Sequence, residues 1–524
     1  MTQASPIPGY GAWNPPPPLE YAAPDRPRLR TDALQAALWV GGLTVAGVVF
    51  AFATRWIWYE YTFTFRVSWV YVPVAFVAIL FLAQLRFPVA AALFYGYLPI
   101  SQAAHAQNYL VGDVNAALTY EMVLALPLIV VGALGTPSSA ALPRRPVPMA
   151  VRLSLAGFVL AGLVAAVLSS DLPVCLTAWA GRFLLPFLVT IVLVRRLASL
   201  DDYRTVWYGL IVGLSAIAVF DYRRAVLGEV ESYTDISQRY IGATQSFAIP
   251  LLYALGGALW LGVARARRGA VVQSLFWFGL FAGSLLLMWL GASRGPLIGI
   301  GLLMLWWLPT LARQLHRPGI ILMVLVGSAA GVYFVRDALT RTTLDVQLTF
   351  DRLKELQAGG LTGHNRAAIW SQALDLWAQQ PVFGLGPNNW VTLDTGFESV
   401  HSTWVGLLFD TGVLGAAVFT VFVIAVLRVA RRSTAQHLSD VDRAFFMGCR
   451  AGWVVMLLIL CTNLPFTSGQ PRNQIFSYMV FFFPALALVT YQHHGAAGEA
   501  APTGPPLPPT ITGTAHPRPA DFMP

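Results

Sequence analysis

The chain has 524 residues, of which 56% are hydrophobic and only 11% are charged. Soluble domains carry roughly a quarter of their residues as Asp, Glu, Lys and Arg, so this composition excludes a soluble enzyme, a disordered chain and a disulfide-stapled secreted module. The three cysteines lack the spacing of metal ligands, and the net charge of the chain is +9. In a membrane protein, an excess of basic residues usually marks the loops that lie on the cytoplasmic side. We expect an integral membrane protein with no nucleic-acid partner and no metal site.

Apolar runs that could cross a bilayer recur along most of the chain. A transmembrane helix needs about 17–25 apolar residues, and about fourteen runs qualify. They lie near 34–54, 68–84, 88–104, 119–135, 151–169, 181–194, 205–221, 243–263, 271–291, 296–310, 319–336, 402–427, 444–463 and 473–491. Backbone groups in lipid must be hydrogen-bonded within their own segment. The predicted fold class is therefore an all-α polytopic membrane protein.

Clustered arginines predict the orientation of these spans. They occupy five short loops, at 144–145, 195–196, 265–268, 313–317 and 428–432. An even number of spans puts all five loops and both termini on one side, which the positive-inside rule identifies as the cytoplasm. The Pro-rich segment 1–33 and the segment 495–524 cannot bury a core. We expect these two segments to be disordered cytoplasmic tails around a transmembrane domain at 34–494.

The segment 337–401 is a long outward-facing, periplasmic loop in this topology. Loops longer than about 15 residues are usually functional or disordered. Residues 365–380 predict an amphipathic helix that ends before Pro381. Its expected apolar face consists of Ile369, Ala373, Leu374 and Trp377. The turn-rich stretch 384–389 follows and would let the backbone approach a ligand closely.

Three polar residues on the outward side are candidate catalytic groups. Arg294 lies in a tight turn between two apolar runs, Arg366 starts the loop helix and His401 starts the next span. Guanidinium groups are permanently charged and bind phosphate oxygens bidentately. Histidine can take a proton near neutral pH. Together these groups suit chemistry in which a phosphate group leaves.

Each candidate also has a structural alternative. An arginine in an outer turn is often an interfacial anchor that reaches the lipid headgroups. Arg366 could equally be a solvated loop residue. However, a positive charge at a helix start is unfavourable for the helix dipole, and this cost favours a functional reason for the arginine. A histidine at a helix start is commonly a cap or interface residue. His105 and His364 also face outward and are rivals to His401.

The ordered set of motifs resembles the O-antigen ligase and Wzy-type polymerase family. The motifs are Ser-Arg-Gly at 293–295, Arg366 with Ile369 and Trp370, Pro-Val-Phe-Gly-Leu-Gly at 381–386, His401-Ser402 with Leu407, and Asp-Thr-Gly-Val-Leu-Gly at 410–415. Arg-Tyr-Ile-Gly at 239–242 is similar to a further family signature. The resemblance covers roughly residues 200–430, and the family often has Asn where this chain has Ser402.

The resemblance implies glycan transfer at the outer face of a bacterial inner membrane, without a metal, nucleotide sugar or other cofactor. The donor would be a glycan on undecaprenyl diphosphate. The acceptor would be lipid A-core in a ligase, another lipid-linked repeat unit in a polymerase, or a protein hydroxyl in an O-oligosaccharyltransferase. We expect the ligase type, with the polymerase as the alternative. Membrane lipid and a chain-length regulator are further candidate partners.

The resemblance also assigns roles to residues. His401 would be the general base on the acceptor hydroxyl, while Arg294 and Arg366 would stabilise the departing diphosphate. We expect substrate-binding roles for three further residues, namely Arg239, Asn388 and Asp410. The sequence offers no pair of carboxylates that would suggest a covalent intermediate. A single displacement with inversion is therefore expected.

Asp410 is one of four carboxylates that could orient His401 or bind sugar hydroxyls. The other three are Asp375, Asp394 and Glu398, and the sequence does not choose among them beyond the place of Asp410 in the motif. Asp410 lies nine residues after His401, more than two helical turns away. Direct contact would require the helix to break at Gly412 or to bend back.

A lipid-linked oligosaccharide flippase is the alternative from another functional class. Transporters place ionisable groups near the bilayer midplane. Here the middles of the predicted spans are nearly free of charge, with Arg182, near an outer helix end, as the exception. This charge placement favours an enzyme.

Overall fold

The computed structural model describes residues 64–104, 109–111, 118–134, 145–226, 233–290, 294–313, 317–341, 363–393, 395, 399–434, 438–461 and 474–499. The predicted span at 34–54, the tail 1–33 and the C-terminal tail beyond residue 499 lie outside these ranges. The last described helix continues to Glu499, past the predicted domain boundary at 494.

Fifteen α-helices occupy the described residues. In chain order they are α1 (Thr64–Leu85), α2 (Phe87–Ala104), α3 (Tyr120–Leu134), α4 (Met149–Val167), α5 (Leu172–Trp179), α6 (Leu185–Arg196), α7 (Leu200–Val226), α8 (Tyr233–Arg267), α9 (Val271–Leu290), α10 (Arg294–Ala312), α11 (Pro318–Arg341), α12 (Gly363–Trp377), α13 (Thr403–Thr434), α14 (Asp440–Leu460) and α15 (Gln474–Glu499). One short antiparallel pair joins β1 (Tyr109–Val111) to β2 (Leu118–Thr119). The chain is an all-α polytopic membrane protein, as predicted.

Every predicted span after the first has a helical counterpart, and α12 is the predicted loop helix. Seven of the described helical segments are long and apolar enough to cross a membrane. They are Met149–Val167, Leu172–Arg196, Ala248–Arg267, Gly295–Ala312, Thr403–Thr434, Asp440–Leu460 and Ile475–Gln492. Apolar stretches in α1, α2, α3, α9 and α11 accompany them, and the total of about fourteen spans stays a prediction.

Two helices form the centre of the bundle. The apolar stretches of α8 and α15 are buried almost throughout, whereas α4, α10 and α13 each expose apolar side chains along one face, as helices against lipid do. Glycines let the backbones of α8 and α14 come into direct contact. A Cβ at Gly452 would lie 2.8 Å from the carbonyl oxygen of Leu252, and one at Gly448 would overlap the carbonyl oxygen of Gly256. Small residues commonly permit such close packing of membrane helices.

Helix ends that are predicted to lie on the same side of the membrane make contact in the structure. The backbone N–H of Arg145, before α4, donates to the carbonyl oxygen of Gln492 near the end of α15 (3.3 Å). Arg204 near the start of α7 forms an ion pair with Asp442 at the start of α14. The guanidinium of Arg196 lies 5.7 Å from the centre of the Phe87 ring. These contacts agree with the predicted alternation of the spans.

The span predicted at 181–194 is longer than expected. It begins at Leu172, where the Asp171 carboxylate accepts a hydrogen bond from the N–H of Val174 (3.2 Å), and it continues through a π-helical turn at Ala180–Leu184. Proline is tolerated in the first helical turn, so Pro173 does not delay the start. The prediction that Arg182 lies near a helix end is therefore wrong, because Arg182 lies near the middle of this span with 2% of its surface exposed.

Candidate active site

Helix α12 forms as its apolar periodicity predicts. Ile369 and Ala373 are buried, and the indole N–H of Trp377 donates to the carbonyl oxygen of Pro381 (3.0 Å), which closes the turn after the helix. The predicted apolar face is wrong at one position. Leu374 is 39% exposed, because the buried side of the helix also takes up Trp370 and leaves Leu374 outside the contact with α13.

A small apolar cluster, separate from the bundle core, holds α12 on α13. Its buried members are Ile369, Ala373, Trp390, Val400 and Phe409. The Trp390 ring is fully buried and packs edge-on against Phe409, with ring centres 5.3 Å apart. Aromatic pairs in this arrangement add about 0.5–1.5 kcal/mol to their area burial. The cluster thus gives the long loop its own rigid support.

This support brings two of the predicted catalytic residues to one region. Arg366 is half-buried in the first turn of α12. Trp370, one helical turn later on the same side, donates its indole N–H to the carbonyl oxygen of Val400 (3.0 Å). Val400 directly precedes His401. The helix that carries Arg366 is therefore held against the segment that carries His401.

His401 is half-buried and has a backbone φ of 51°. A non-glycine residue in this left-handed region is uncommon, and such backbone strain concentrates at functional sites. Ser402 follows with 2% of its surface exposed. Its hydroxyl accepts from the N–H of Val405 (3.3 Å) and donates to the carbonyl oxygen of Cys461 (2.7 Å). The indole N–H of Trp404 contacts the Cys461 sulfur. The end of α14 thus fixes the backbone beside His401.

Residues 381–392, which we call the strap, lie across a break in α13. Gly412 has φ 66° and ψ −172°, which interrupts the helix. The N–H groups of Leu385 and Gly386 donate to the carbonyl oxygens of Phe409 (2.7 Å) and Asp410 (3.1 Å). In return, the N–H groups of residues 413 and 414 donate to the carbonyl oxygens of residues 381 and 382 (2.9 and 3.2 Å). The strap therefore satisfies backbone groups that the break would leave without partners.

Asp410 is fully buried on the near side of the break. Because the break follows Asp410, residues 403–409 stay helical, and Asp410 lies about 10 Å along the helix axis from Thr403, the first residue of α13. Arg182 and Cys175 of α5 lie close enough to Asp410 for a charge on its carboxyl group to act on them. Arg182 was not among the predicted site residues, although an arginine within an apolar run is a signal for a functional position in a membrane protein.

Asn388 lies in the strap with φ 64° and only 4% of its surface exposed. Asparagine tolerates this left-handed conformation better than most residues. The next residue, Asn389, was not among the predicted site residues. Its side-chain amide hydrogen-bonds within the strap and to Ser170 between α4 and α5. A Gly-Pro-Asn-Asn turn indicates which residues bend, but not which of them reaches a distant partner.

The other predicted site residues have described backbones only, or lie outside the described residues. Arg294 is the first residue of α10, as its turn position predicts. Arg239 lies within α8, which begins at Tyr233, ten residues before the predicted start of this span at 243. The side chains of both arginines lie outside the described residues. Of the other candidates, His105, Asp394 and Glu398 and the His364 side chain lie outside them too, and Asp375 is exposed.

No group of three or more His, Cys, Asp or Glu side chains with metal-binding geometry occurs among the described residues. The three cysteines are free thiols, and Cys175 and Cys449 are buried.

Residues 278–420 match the model of a protein family described as O-antigen ligase. The matched range runs from within α9 into α13, and includes Arg294, Arg366, Asn388, His401 and Asp410. It does not include Arg239 or Arg182. No curated protein matches the chain significantly. The family match confirms the resemblance that the motifs predicted.

Proposed function

Because residues 278–420 match the model of a family described as O-antigen ligase, we propose that this protein transfers a glycan from undecaprenyl diphosphate to lipid A-core. The observation that carries the proposal is the seating of α12 on the start of α13. It brings the half-buried Arg366 to the segment of His401, inside the matched range. A permanent cation and a proton acceptor carried by two segments that pack together suit the displacement of a diphosphate.

The proposed reaction is a single displacement at the anomeric carbon of the donor. The acceptor hydroxyl oxygen forms the new bond to that carbon as its proton passes to His401. The bond between the anomeric carbon and the diphosphate oxygen breaks, and undecaprenyl diphosphate leaves with the electron pair. One such attack inverts the configuration of the sugar. The strained backbone at His401 and its anchoring through Ser402 support a preorganised base.

The arginines would stabilise the charge that grows on the leaving diphosphate. Such electrostatic stabilisation is usually the largest single term in catalysis. We propose Arg366 and Arg294 for this role, with Arg239 and Asn388 binding the donor. Asp410 remains a proposed substrate-binding residue, although its depth in α13 separates it from His401. The positive-inside rule supports a periplasmic position for this site in the inner membrane.

A flippase remains the second candidate function because of one observation. Arg182 and Asp410 are both buried within candidate spans, which is where transporters keep ionisable groups. The two functions differ in a deletion strain. A transferase predicts lipid-linked glycan accumulating on the outer leaflet, whereas a flippase predicts accumulation on the inner leaflet. Unattached lipid-linked polymer would identify a ligase, and single repeat units would identify a polymerase.

The catalytic roles are testable with His401→Ala and Arg366→Ala. We expect each variant to lose at least about 100-fold in glycan transfer, which is the usual contribution of one general base or one charge-stabilising group. The measurement is transfer of lipid-linked glycan to lipid A-core in membranes, normalised to the amount of protein. Arg366→Lys keeps the charge but loses the bidentate geometry, so intermediate activity is expected. Full activity of His401→Ala at normal abundance would overturn the mechanism.

A further inference from the structure

The strap makes its sharpest bends where no regular secondary structure supports it. Gly384, Gly386 and Asn388 all have positive φ, at 75°, 107° and 64°. The backbone bonds to α13 involve residues 381, 382, 385 and 386. Beyond Gly386, the N–H of Asn389 donates to the carbonyl oxygen of Gly386 (3.1 Å) and closes the turn that presents Asn388. Side-chain contacts then fix where this turn lies on the helix bundle.

Asn389 makes those contacts. It is 1% exposed, and its amide nitrogen donates to the carbonyl oxygen of Leu385 (2.7 Å) and to the hydroxyl of Ser170 (3.2 Å). Its amide oxygen accepts from the hydroxyl of Thr392 (2.6 Å). One side chain thus spans the turn from Leu385 to Thr392 and joins it to the connection between α4 and α5. The carbonyl oxygen of Leu385 can only accept, so it sets the orientation of this buried amide, because a flipped amide would place two oxygens in contact there.

A second contact places the strap at the same spot on the bundle. A Cβ added to Gly386 would lie 2.6 Å from the Ser169 Cβ and 2.9 Å from the Cys175 sulfur. Gly386 therefore packs directly against the junction between α4 and α5, at Ser169, which is the sequence neighbour of Ser170. The strap thus contacts two parts of the bundle, namely the junction between α4 and α5 and the break in α13.

We propose that Asn389 is a positioning residue that sets the turn of Asn388 for donor binding by tying the strap to Ser170. The inference rests on the proposed function, since it takes Asn388 as a donor-binding residue. Asn389 itself touches no substrate in this proposal. It acts through its neighbour, so its loss should weaken donor binding and leave the chemistry at His401 largely intact.

The test is steady-state kinetics of the full-length protein in membranes or detergent. The probes are undecaprenyl-diphosphate-linked glycan, extracted from a strain that lacks the protein, and lipid A-core. For Asn389→Ala we expect the donor KM to rise about tenfold, the equivalent of one or two net hydrogen bonds. We expect kcat per folded enzyme to change by less than about twofold, as for a loss of ground-state binding. The acceptor KM should not change.

Graded variants and a control sharpen the outcome. Ser170→Ala removes only the contact to the junction, so a rise in donor KM of about threefold is expected, and this variant serves if Asn389→Ala fails to fold. Asn389→Asp keeps the size and the acceptor for Thr392 but removes the donor, and should resemble Asn389→Ala. Gln379→Ala, at an exposed position before the strap, should match the unaltered protein.

An unchanged donor KM in both Asn389→Ala and Ser170→Ala would overturn the inference, whatever happens to kcat, since a purely structural role lowers only the active fraction. Failure of the proposed function looks different. In that case His401→Ala would retain glycan transfer, whereas failure of this inference alone would leave His401→Ala inactive.

Discussion

At the scale of single residues, Ser402 shows how a departure from a motif can preserve its physical task. The family often has Asn at this position, and Asn and Ser are both among the best residues for capping a helix N-terminus. Here the Ser402 hydroxyl caps α13 through Val405 and also donates to the carbonyl oxygen of Cys461. The side chain therefore positions the backbone of His401, and its identity can vary among good caps.

Replacement of Ser402 should show this division between positioning and chemistry. We expect Ser402→Ala to destabilise the start of α13 by about 1 kcal/mol, the usual cost of a lost cap, and to lower glycan transfer several-fold. Ser402→Asn should restore most of the activity because it restores the cap. The measurements are thermal unfolding of the detergent-solubilised protein and transfer per folded molecule. Equal losses in both variants would argue against the capping role.

At the scale of elements, the break in α13 and the strap form one unit. The backbone of Gly412 occupies a region that only glycine adopts readily. A Cβ at Gly384 would lie 2.5 Å from the Gly412 nitrogen and 2.7 Å from the Asp410 carbonyl carbon. Backbone contacts this close leave no room for a side chain at either glycine. The Gly-Leu-Gly and Asp-Thr-Gly motifs are therefore two halves of one interface.

Gly412→Ala should disrupt that interface. The backbone conformation alone costs about 1–3 kcal/mol for a residue with a side chain, and the new Cβ would overlap the carbonyl oxygen of Val382. We expect loss of glycan transfer with a lower melting temperature. Gly301→Ala is the matched control, because a Cβ there meets nothing within 4 Å. A Gly412→Ala protein as active and as stable as Gly301→Ala would contradict this account.

At the scale of the whole molecule, charge separates into two populations. Among the described residues, most arginines lie near the helix ends that are predicted to face the cytoplasm, where contacts such as Arg204 with Asp442 and Arg196 with Phe87 join neighbouring helices. Others, such as Arg366 in the long loop and Arg182 inside the bundle, do not. The first population is explained by topology. The second requires a chemical or structural reason of its own.

Reporter fusions test the topology that the first population predicts. A green fluorescent protein fused after residue 434 should fluoresce, because that loop follows the arginines at 428–432 and is expected in the cytoplasm. Alkaline phosphatase fused after residue 395 should be active, because the strap side is expected in the periplasm. The reverse pattern at both positions would invert the proposed orientation and would move the site to the cytoplasmic face.

The sequence by itself predicted the helices that occupy the positions of the spans after the first, and the loop helix α12. These features depend on local information, namely apolar run length, helical periodicity and the residues that start or stop a helix. Local signals also misplaced some boundaries. They missed the first turns of the span at Leu172–Arg196 and the early start of α8, where Pro173 and polar residues are accommodated inside a helix.

Only the tertiary structure decided which residues meet. Asn389 and Ser170 are 219 positions apart in the chain, and Arg182 approaches Asp410 from a different span. Such pairs depend on how helices pack, and no single local pattern records that packing. The break at Gly412 shows the same limit, since the motif indicated a glycine there but not the strap that completes its hydrogen bonds. The sequence therefore determined the candidate groups, and the packing of α4, α5 and α14 around α13 decided how they are held.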